Sequence, residues 1–149
     1  MKKLFVIVLL CSLISFSFAQ NIQEKDGKYY KEGKEYSGIF EKNEEGTFLK
    51  MNIVNGLLDG ITMLYFDNKK QKEQRSYKEG KFDGLWITWN DQGKKMAEAN
   101  YKEGKKHGKW LVWDDKGTLR YEMYYEEGVR KGKWIMWDES GKLISEQVY

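Results

Sequence analysis

Between residues 109 and 125 the chain alternates between strand-like and turn-like runs. Lys109-Trp110-Leu111-Val112-Trp113 is rich in strand formers. Asp114-Asp115-Lys116-Gly117 has the composition of a turn, with Gly117 free to take a positive φ. From Thr118 onward the positions alternate: Leu119, Tyr121, Met123 and Tyr125 fall on one face, Arg120 and Glu122 on the other. Glu126-Glu127-Gly128 turns the chain again. This pattern predicts a β-hairpin followed by a second glycine-containing turn. Asn55-Gly56 is a strong turn dipeptide at the equivalent place of another hairpin. No helical period of useful length follows residue 20.

The hairpin recurs every 24 residues. Gly80, Gly104 and Gly128 keep that step, as do Gly60, Gly84, Gly108 and Gly132. All six tryptophans fall into two positions of one register: Trp86, Trp110 and Trp134, then Trp89, Trp113 and Trp137, with Tyr65 one repeat earlier. Tyr77, Tyr101, Tyr125 and Tyr149 follow the same spacing. Gly33 and Gly38 continue it with shorter steps, so residues 20–55 read as a divergent first repeat or N-terminal cap and 56–149 as four repeats. Five hairpins predict an all-β chain of ten strands in one antiparallel meander. Strands about 4.8 Å apart place equivalent residues about 10 Å apart. Tryptophans of one ladder then do not touch, and Tyr121 or Met123 is expected between them.

Residues 1–19 stand outside this pattern. Lys2 and Lys3 precede an apolar run from Leu4 to Phe18, and Ser17 and Ala19 occupy the −3 and −1 positions before Gln20. This is the make-up of a signal peptide, and the run is shorter than the ~18 residues of a membrane span. Cys11 follows Leu10 where a lipidation site has a small residue, so lipidation is not expected. The expected product is exported: periplasmic, cell-surface or secreted. It would carry no cysteine, leaving stability to packing and strand pairing. Removing two lysines leaves 24 basic residues (26 − 2) against 23 acidic, a net charge of +1. That balance argues against nucleic acid as a partner, and an aromatic content of 15% argues against a disordered chain.

Tyr77–Trp86 and Tyr101–Trp110 both read Tyr-x-Glu-Gly-Lys-x-x-Gly-x-Trp, and Tyr125–Trp134 is a close copy. This motif resembles the MORN repeat in its bacterial variant form. The resemblance covers most of the chain from residue 56 onward and more weakly the part before it. It implies an elongated single-layer sheet of repeated β-hairpins, about five units in all, acting in protein–protein or protein–membrane contact. It implies no catalytic residues and no cofactor. An antitoxin role, attached to some bacterial members, fits poorly with an export signal.

Residues three apart on a strand face opposite ways, so Trp86, Trp110 and Trp134 share one face and Trp89, Trp113 and Trp137 the other. With Tyr101 and Tyr125 these are the candidate binding residues. One ladder is expected to pack as core, and which face binds is left open. His107, at a position held elsewhere by Asp59, Asp83 and Lys131, reads as a solvated turn residue where any polar side chain serves. Asp91, Asp115 and Glu139 lack the spacing of a calcium loop and read as turn formers, so no metal is expected. Lys81, Lys105, Lys106 and Lys131 form a basic fringe, but Glu79, Glu103, Glu126 and Glu127 dilute it, making membrane contact the lesser expectation. Ser145–Tyr149 would leave a bare strand edge, open to strand addition by a second copy or another partner. Together these features predict a non-catalytic protein-binding or scaffold module. The alternatives are a surface or secreted factor contacting host or neighbouring cells, and an antitoxin-type or lipid-associated repeat protein. No nucleophile–base pairing supports an enzyme.

Overall fold

A computed structural model describes residues 21–149, so the expected signal peptide over 1–19 lies outside the described residues. The first strands are β1 (Ile22–Lys25), β2 (Lys28–Lys31), β3 (Lys34–Glu35), β4 (Gly38–Glu44) and β5 (Thr47–Val54). Then come β6 (Leu57–Leu58), β7 (Gly60–Tyr65), β8 (Gln71–Lys78), β9 (Lys81–Trp89) and β10 (Lys95–Lys102). The last are β11 (Lys105–Lys106), β12 (Gly108–Trp113), β13 (Leu119–Glu126), β14 (Val129–Arg130), β15 (Lys133–Trp137) and β16 (Leu143–Val148). Ten of these follow one another in an open antiparallel sheet, β4-β5-β7-β8-β9-β10-β12-β13-β15-β16. The two-residue strands β6, β11 and β14 pair with the strand just before them. No helix occurs among the described residues.

The ten-strand meander matches the expectation, but it begins at Gly38. Residues 22–35 form a separate three-stranded sheet, β1-β2-β3. Asp26-Gly27 (φ 51 and 74) and Glu32-Gly33 (φ 53 and 74) turn the chain back too soon for these strands to span the main sheet. The first full hairpin, β4–β5, turns through Glu45-Gly46 alone, whereas five residues join the strands of each later hairpin. Its step from Gly38 to Gly60 is therefore 22 residues and not 24.

Between hairpins, Asn55-Gly56, Glu79-Gly80, Glu103-Gly104 and Glu127-Gly128 each carry two positive φ values. That is the type I′ geometry, whose twist matches the flanking strands. The amides of Gly80, Gly104 and Gly128 donate to Leu58, Phe82 and Lys106 one repeat back, each at 2.8 Å. Turns are thus bonded to turns, and each repeat supports the next.

The position of His107 proves more demanding than a solvated turn. Asp59 and Asp83 accept the amides of Glu79 (3.1 Å) and Glu103 (3.0 Å) in the following turn. His107 faces Glu127 in the same way, but its Nδ1 is buried without a hydrogen-bond partner and lies 3.8 Å from Glu127 Oε1. His107→Asp should restore the bond to the Glu127 amide and raise stability by about 1 kcal/mol. An unchanged urea midpoint would show that Asp59 and Asp83 do not owe their place to this contact.

From β7 onward the sheet is one layer, as expected. At its N-terminal end it acquires a second. Tyr29, Met51 and Ile53 form a buried cluster flanked by Tyr36, Phe40 and Leu58. The Tyr29 amide donates to the Gly56 carbonyl, and the Gly56 amide to that of Tyr36, laying the small sheet over the first turn. Burial pushes the Tyr29 hydroxyl up to about 12, with Glu24 adding to the effect.

Candidate functional site

The aromatic pattern follows from where glycine stands. Gly60 pairs with Tyr77, Gly84 with Tyr101 and Gly108 with Tyr125. Gly132 and Tyr149 exchange two backbone hydrogen bonds of 2.9 Å. A glycine has no side chain to oppose the tyrosine, so the ring is free to lean toward the tryptophan two residues further along the same face. Ring centroids are 5.7 Å apart for Trp86–Tyr101, 5.3 Å for Trp110–Tyr125 and 5.2 Å for Trp134–Tyr149. Across repeats, Tyr101–Trp110 and Tyr125–Trp134 stand at 5.2 and 5.1 Å. Tyr77 and Phe82 extend the stack at 4.8 Å, and Phe82 meets Trp86 at 5.0 Å. The rings from Tyr77 to Tyr149 are continuous.

Tryptophans of this ladder are separated by an intervening ring, but that ring is Tyr101 or Tyr125 and not Tyr121. Met123 does lie directly opposite Trp110. The tyrosine wins the ring contact because its own cross-strand partner is glycine. Indole N–H groups are satisfied as well: Trp110 and Trp134 donate to the carbonyls of Asn100 and Tyr124, both at 3.0 Å. Trp86 donates to Glu73 Oε2 at 3.1 Å. The rings are therefore fixed in place, and Tyr125 is 9% exposed.

Cations lie on the stack, which the sequence reading missed. Lys106 sits 4.4 Å from the Trp110 centroid and 4.9 Å from that of Tyr125. Arg130 sits 4.5 Å from Trp134 and 5.2 Å from Tyr149, and Arg75 5.0 Å from Trp86. Phe82, Lys106 and Arg130 share one repeat position, 24 residues apart. That shared position, aromatic once and cationic twice, was the available signal.

A hollow of about 210 Å³ opens between Trp86 and Trp110, over Thr88, Ala97, Ala99 and Val112. It exists because Ala97 and Ala99 are small. One repeat later the same positions hold Tyr121 and Met123, and one repeat earlier the ion pair of Glu73 and Arg75, closed at 2.7 Å. Burial pushes the hydroxyls of Tyr77 and Tyr101 up, so both rings remain neutral donors at physiological pH.

The opposite face is of another kind. Trp89, Trp113 and Trp137 stand where the first strand of each hairpin ends. None of them stacks on another ring among the described residues; Lys95 lies 5.7 Å from Trp113, and Arg120 donates to the Trp137 carbonyl at 2.9 Å. Around them run the ion pairs Lys109–Glu122 (3.0 Å), Lys133–Glu146 (2.7 Å) and Lys95–Glu98 (2.8 Å). Of the eight candidate residues, Trp86, Tyr101, Trp110, Tyr125 and Trp134 come together. Trp89, Trp113 and Trp137 do not join them.

Hairpin turns at the far edge are closed by the residue before each expected acid. Asp114 Oδ1 accepts from Lys116 and Thr118, and Asp138 Oδ1 from Ser140 and Lys142. Asn90 does the same with Gln92 and Lys94, while Asp91, Asp115 and Glu139 are exposed, Glu139 accepting from Lys116 Nζ at 3.3 Å. Burial works to raise the Asp114 carboxyl, but the Thr118 and Lys116 amides and Arg120 together hold it below its ordinary value. For Asp138 the Ser140 hydroxyl leads the same lowering. Folded carboxyls that resist protonation stabilise above the unfolded pKa and lose that contribution as pH falls through the folded one. Stability should thus decline below about pH 4. Asp114→Asn and Asp138→Asn, which retain the turn bonds seen at Asn90, should flatten that decline; an unaltered acid profile would assign it elsewhere.

Among the described residues no three His, Cys, Asp or Glu side chains converge to hold a metal ion. No curated protein matches the sequence. The MORN repeat variant family model matches residues 82–103, 106–127 and 130–149. Each matched segment opens on one of the stacking residues Phe82, Lys106 and Arg130. MORN repeats commonly serve as protein- or membrane-binding modules. From Phe82 to the last strand, this chain is built of three consecutive repeats of the MORN repeat variant family.

Proposed function

We propose that this chain is an exported, non-catalytic binding module that receives a protein partner on its aromatic face, centred on the hollow over Ala97 and Ala99. The hollow is the observation that carries this reading. It is bounded by Trp86, Tyr101 and Trp110, whose rings are already held by stacking and hydrogen bonds. Binding there would order little that is not ordered in advance. At about 210 Å³ it suits one apolar or aromatic side chain, and is smaller than the pockets that enclose small-molecule ligands. An apolar centre with Arg75, Glu73 and Lys106 around it has the arrangement of a protein interface, where an aromatic anchor fills a central pocket inside a polar rim. Export rests on Lys2, Lys3, the apolar run and the Ser17/Ala19 pair.

Tyr121 and Tyr124 provide a matched test. They lie three apart on β13, on opposite faces, with exposures of 40% and 42%. A photoreactive phenylalanine analogue at Tyr121 should give a discrete protein adduct in producing cells, and at Tyr124 none. Ala97→Arg should abolish the Tyr121 adduct without unfolding the chain. Adduct mass separates another protein from a second copy of this one. Adducts from Tyr124 alone, or a Tyr121 adduct indifferent to Ala97→Arg, would refute the reading.

A further inference from the structure

The second hairpin turn breaks the rules that its three siblings obey, and it breaks them beside a depression in the surface. All four turns share one backbone. Phe66, Asn90, Asp114 and Asp138 each donate their amide to the residue four further on, at 2.9–3.0 Å. Lys69, Gly93, Gly117 and Gly141 each donate back, at 2.8–3.0 Å. Asn or Asp is suited to the first position, where its side chain closes the turn, and glycine to the last, where φ is 87, 89 and 80. In the second hairpin these positions hold Phe66, which leaves only one side-chain closure, from Asn68 Oδ1 to the Lys70 amide at 3.0 Å, and Lys69, held at φ 65. Both substitutions act against the turn. Both side chains line a depression of about 480 Å³ on the face opposite the ladder.

Where a residue violates its local structural role, the compensation is sought in function. Phe48, Tyr65 and Phe66 form the half-buried wall, with Phe48 and Tyr65 centroids 5.8 Å apart. Lys72 lies 5.6 Å from Phe66 and steadies that ring. Around the rim the charges cancel: Lys50 pairs with Glu41 at 3.1 Å, while Lys69 and Asp67 have no ion-pair partner among the described residues. Asn43 adds an amide. The lining residues Glu41, Lys50, Asp67 and Lys69 carry no net charge, so the site offers apolar ring faces with separate donors and acceptors, and Lys72 behind Phe66 adds one cation. A charged ligand gains little from the balanced rim, and a purely apolar one would leave Lys69 and Asp67 desolvated. A neutral saccharide fits both demands, its C–H faces lying on the rings and its hydroxyls bonding to Asp67, Asn43 and Lys69.

We infer that this depression is a binding site for a neutral oligosaccharide, with Phe66 and Lys69 kept against the preference of their turn because they contact it. The probes are cellotetraose and triacetylchitotriose, both uncharged, titrated at millimolar concentration into isotopically labelled protein. At least one should shift the amides of Gly46, Asp67 and Lys69 while leaving those of Ala97 and Ala99 unmoved. Lys69→Gly and Phe66→Asn restore the sibling residues, so neither should lower the melting temperature. Each should weaken binding by about tenfold or more. That separation is diagnostic, since residues with only a structural role would not bind less while the fold gained stability. Binding of neither probe would overturn the inference. So would undiminished binding by both variants, or preference for a sulfated oligosaccharide with affinity falling as salt rises, which would mark a general anion patch.

Discussion

Trp110→Ala should lower the free energy of unfolding by about 3 kcal/mol, against about 1 kcal/mol for Trp113→Ala. Both indoles are half-buried and belong to one strand, so exposure alone predicts similar losses. Their contacts differ. Trp110 touches Tyr101 and Tyr125, carries Lys106 on its face and donates to the Asn100 carbonyl. It therefore joins two repeats, and its removal leaves a gap bounded by rings that cannot collapse together. Trp113 has Lys95 at 5.7 Å and no stacked ring among the described residues. In a repeat array each unit is held chiefly by its neighbours, so a lesion at the junction weakens both sides of it. Urea unfolding of the two variants decides the matter. Equal losses would mean that the ladder contributes no more than its buried area.

The second large effect is expected at Gly84. Its φ of 98 lies where L-residues are strained, and a Cβ there would stand 3.2 Å from the Ser76 Cβ. Gly84 also lies opposite Tyr101, so a branched side chain would displace the ring that bridges Trp86 and Trp110. Gly84→Val should cost about 3 kcal/mol from strain and lost packing together. Gly93→Ala isolates the backbone part, since φ is 87 and nothing lies nearer than Lys70 Cδ at 3.9 Å. That substitution should cost about 1 kcal/mol. If thermal melts gave the two variants the same loss, the glycine–tyrosine pairing would have no part in ordering the stack.

Much of this fold is legible from spacing, because the turns declare themselves. A 24-residue step in glycine and tryptophan sets the strand phase, and phase sets the face of every side chain. Hence the separation of Trp86 from Trp89 follows from spacing alone. The aromatic neighbour was harder. Opposition across the strand pointed to Met123 or Tyr121, but contact went to Tyr125, diagonal to Trp110 and freed by Gly108. Ring contacts depend on which partner lacks a side chain, and that appears only once register is known. The same holds for Asp59 and Asp83, whose hydrogen-bonding task is visible only when the next turn is seen beside them. The N-terminal sheet escaped notice because its short turns carry the same residue types as those of the repeats. The hollow leaves no mark in the sequence for a different reason: Ala97 and Ala99 matter by being small, and neither carries a group that singles it out.

A partner bound as proposed would cover the aromatic face and leave the ion-pair face open. Oxidative footprinting of the tryptophans in producing cells, compared with the purified chain, distinguishes the two faces. Trp86 and Trp110 should be protected in cells while Trp89, Trp113 and Trp137 react at the same rate in both settings. Protection of Trp89, Trp113 and Trp137 with Trp86 and Trp110 unchanged would contradict binding on the aromatic face, and so would equal reactivity of all six.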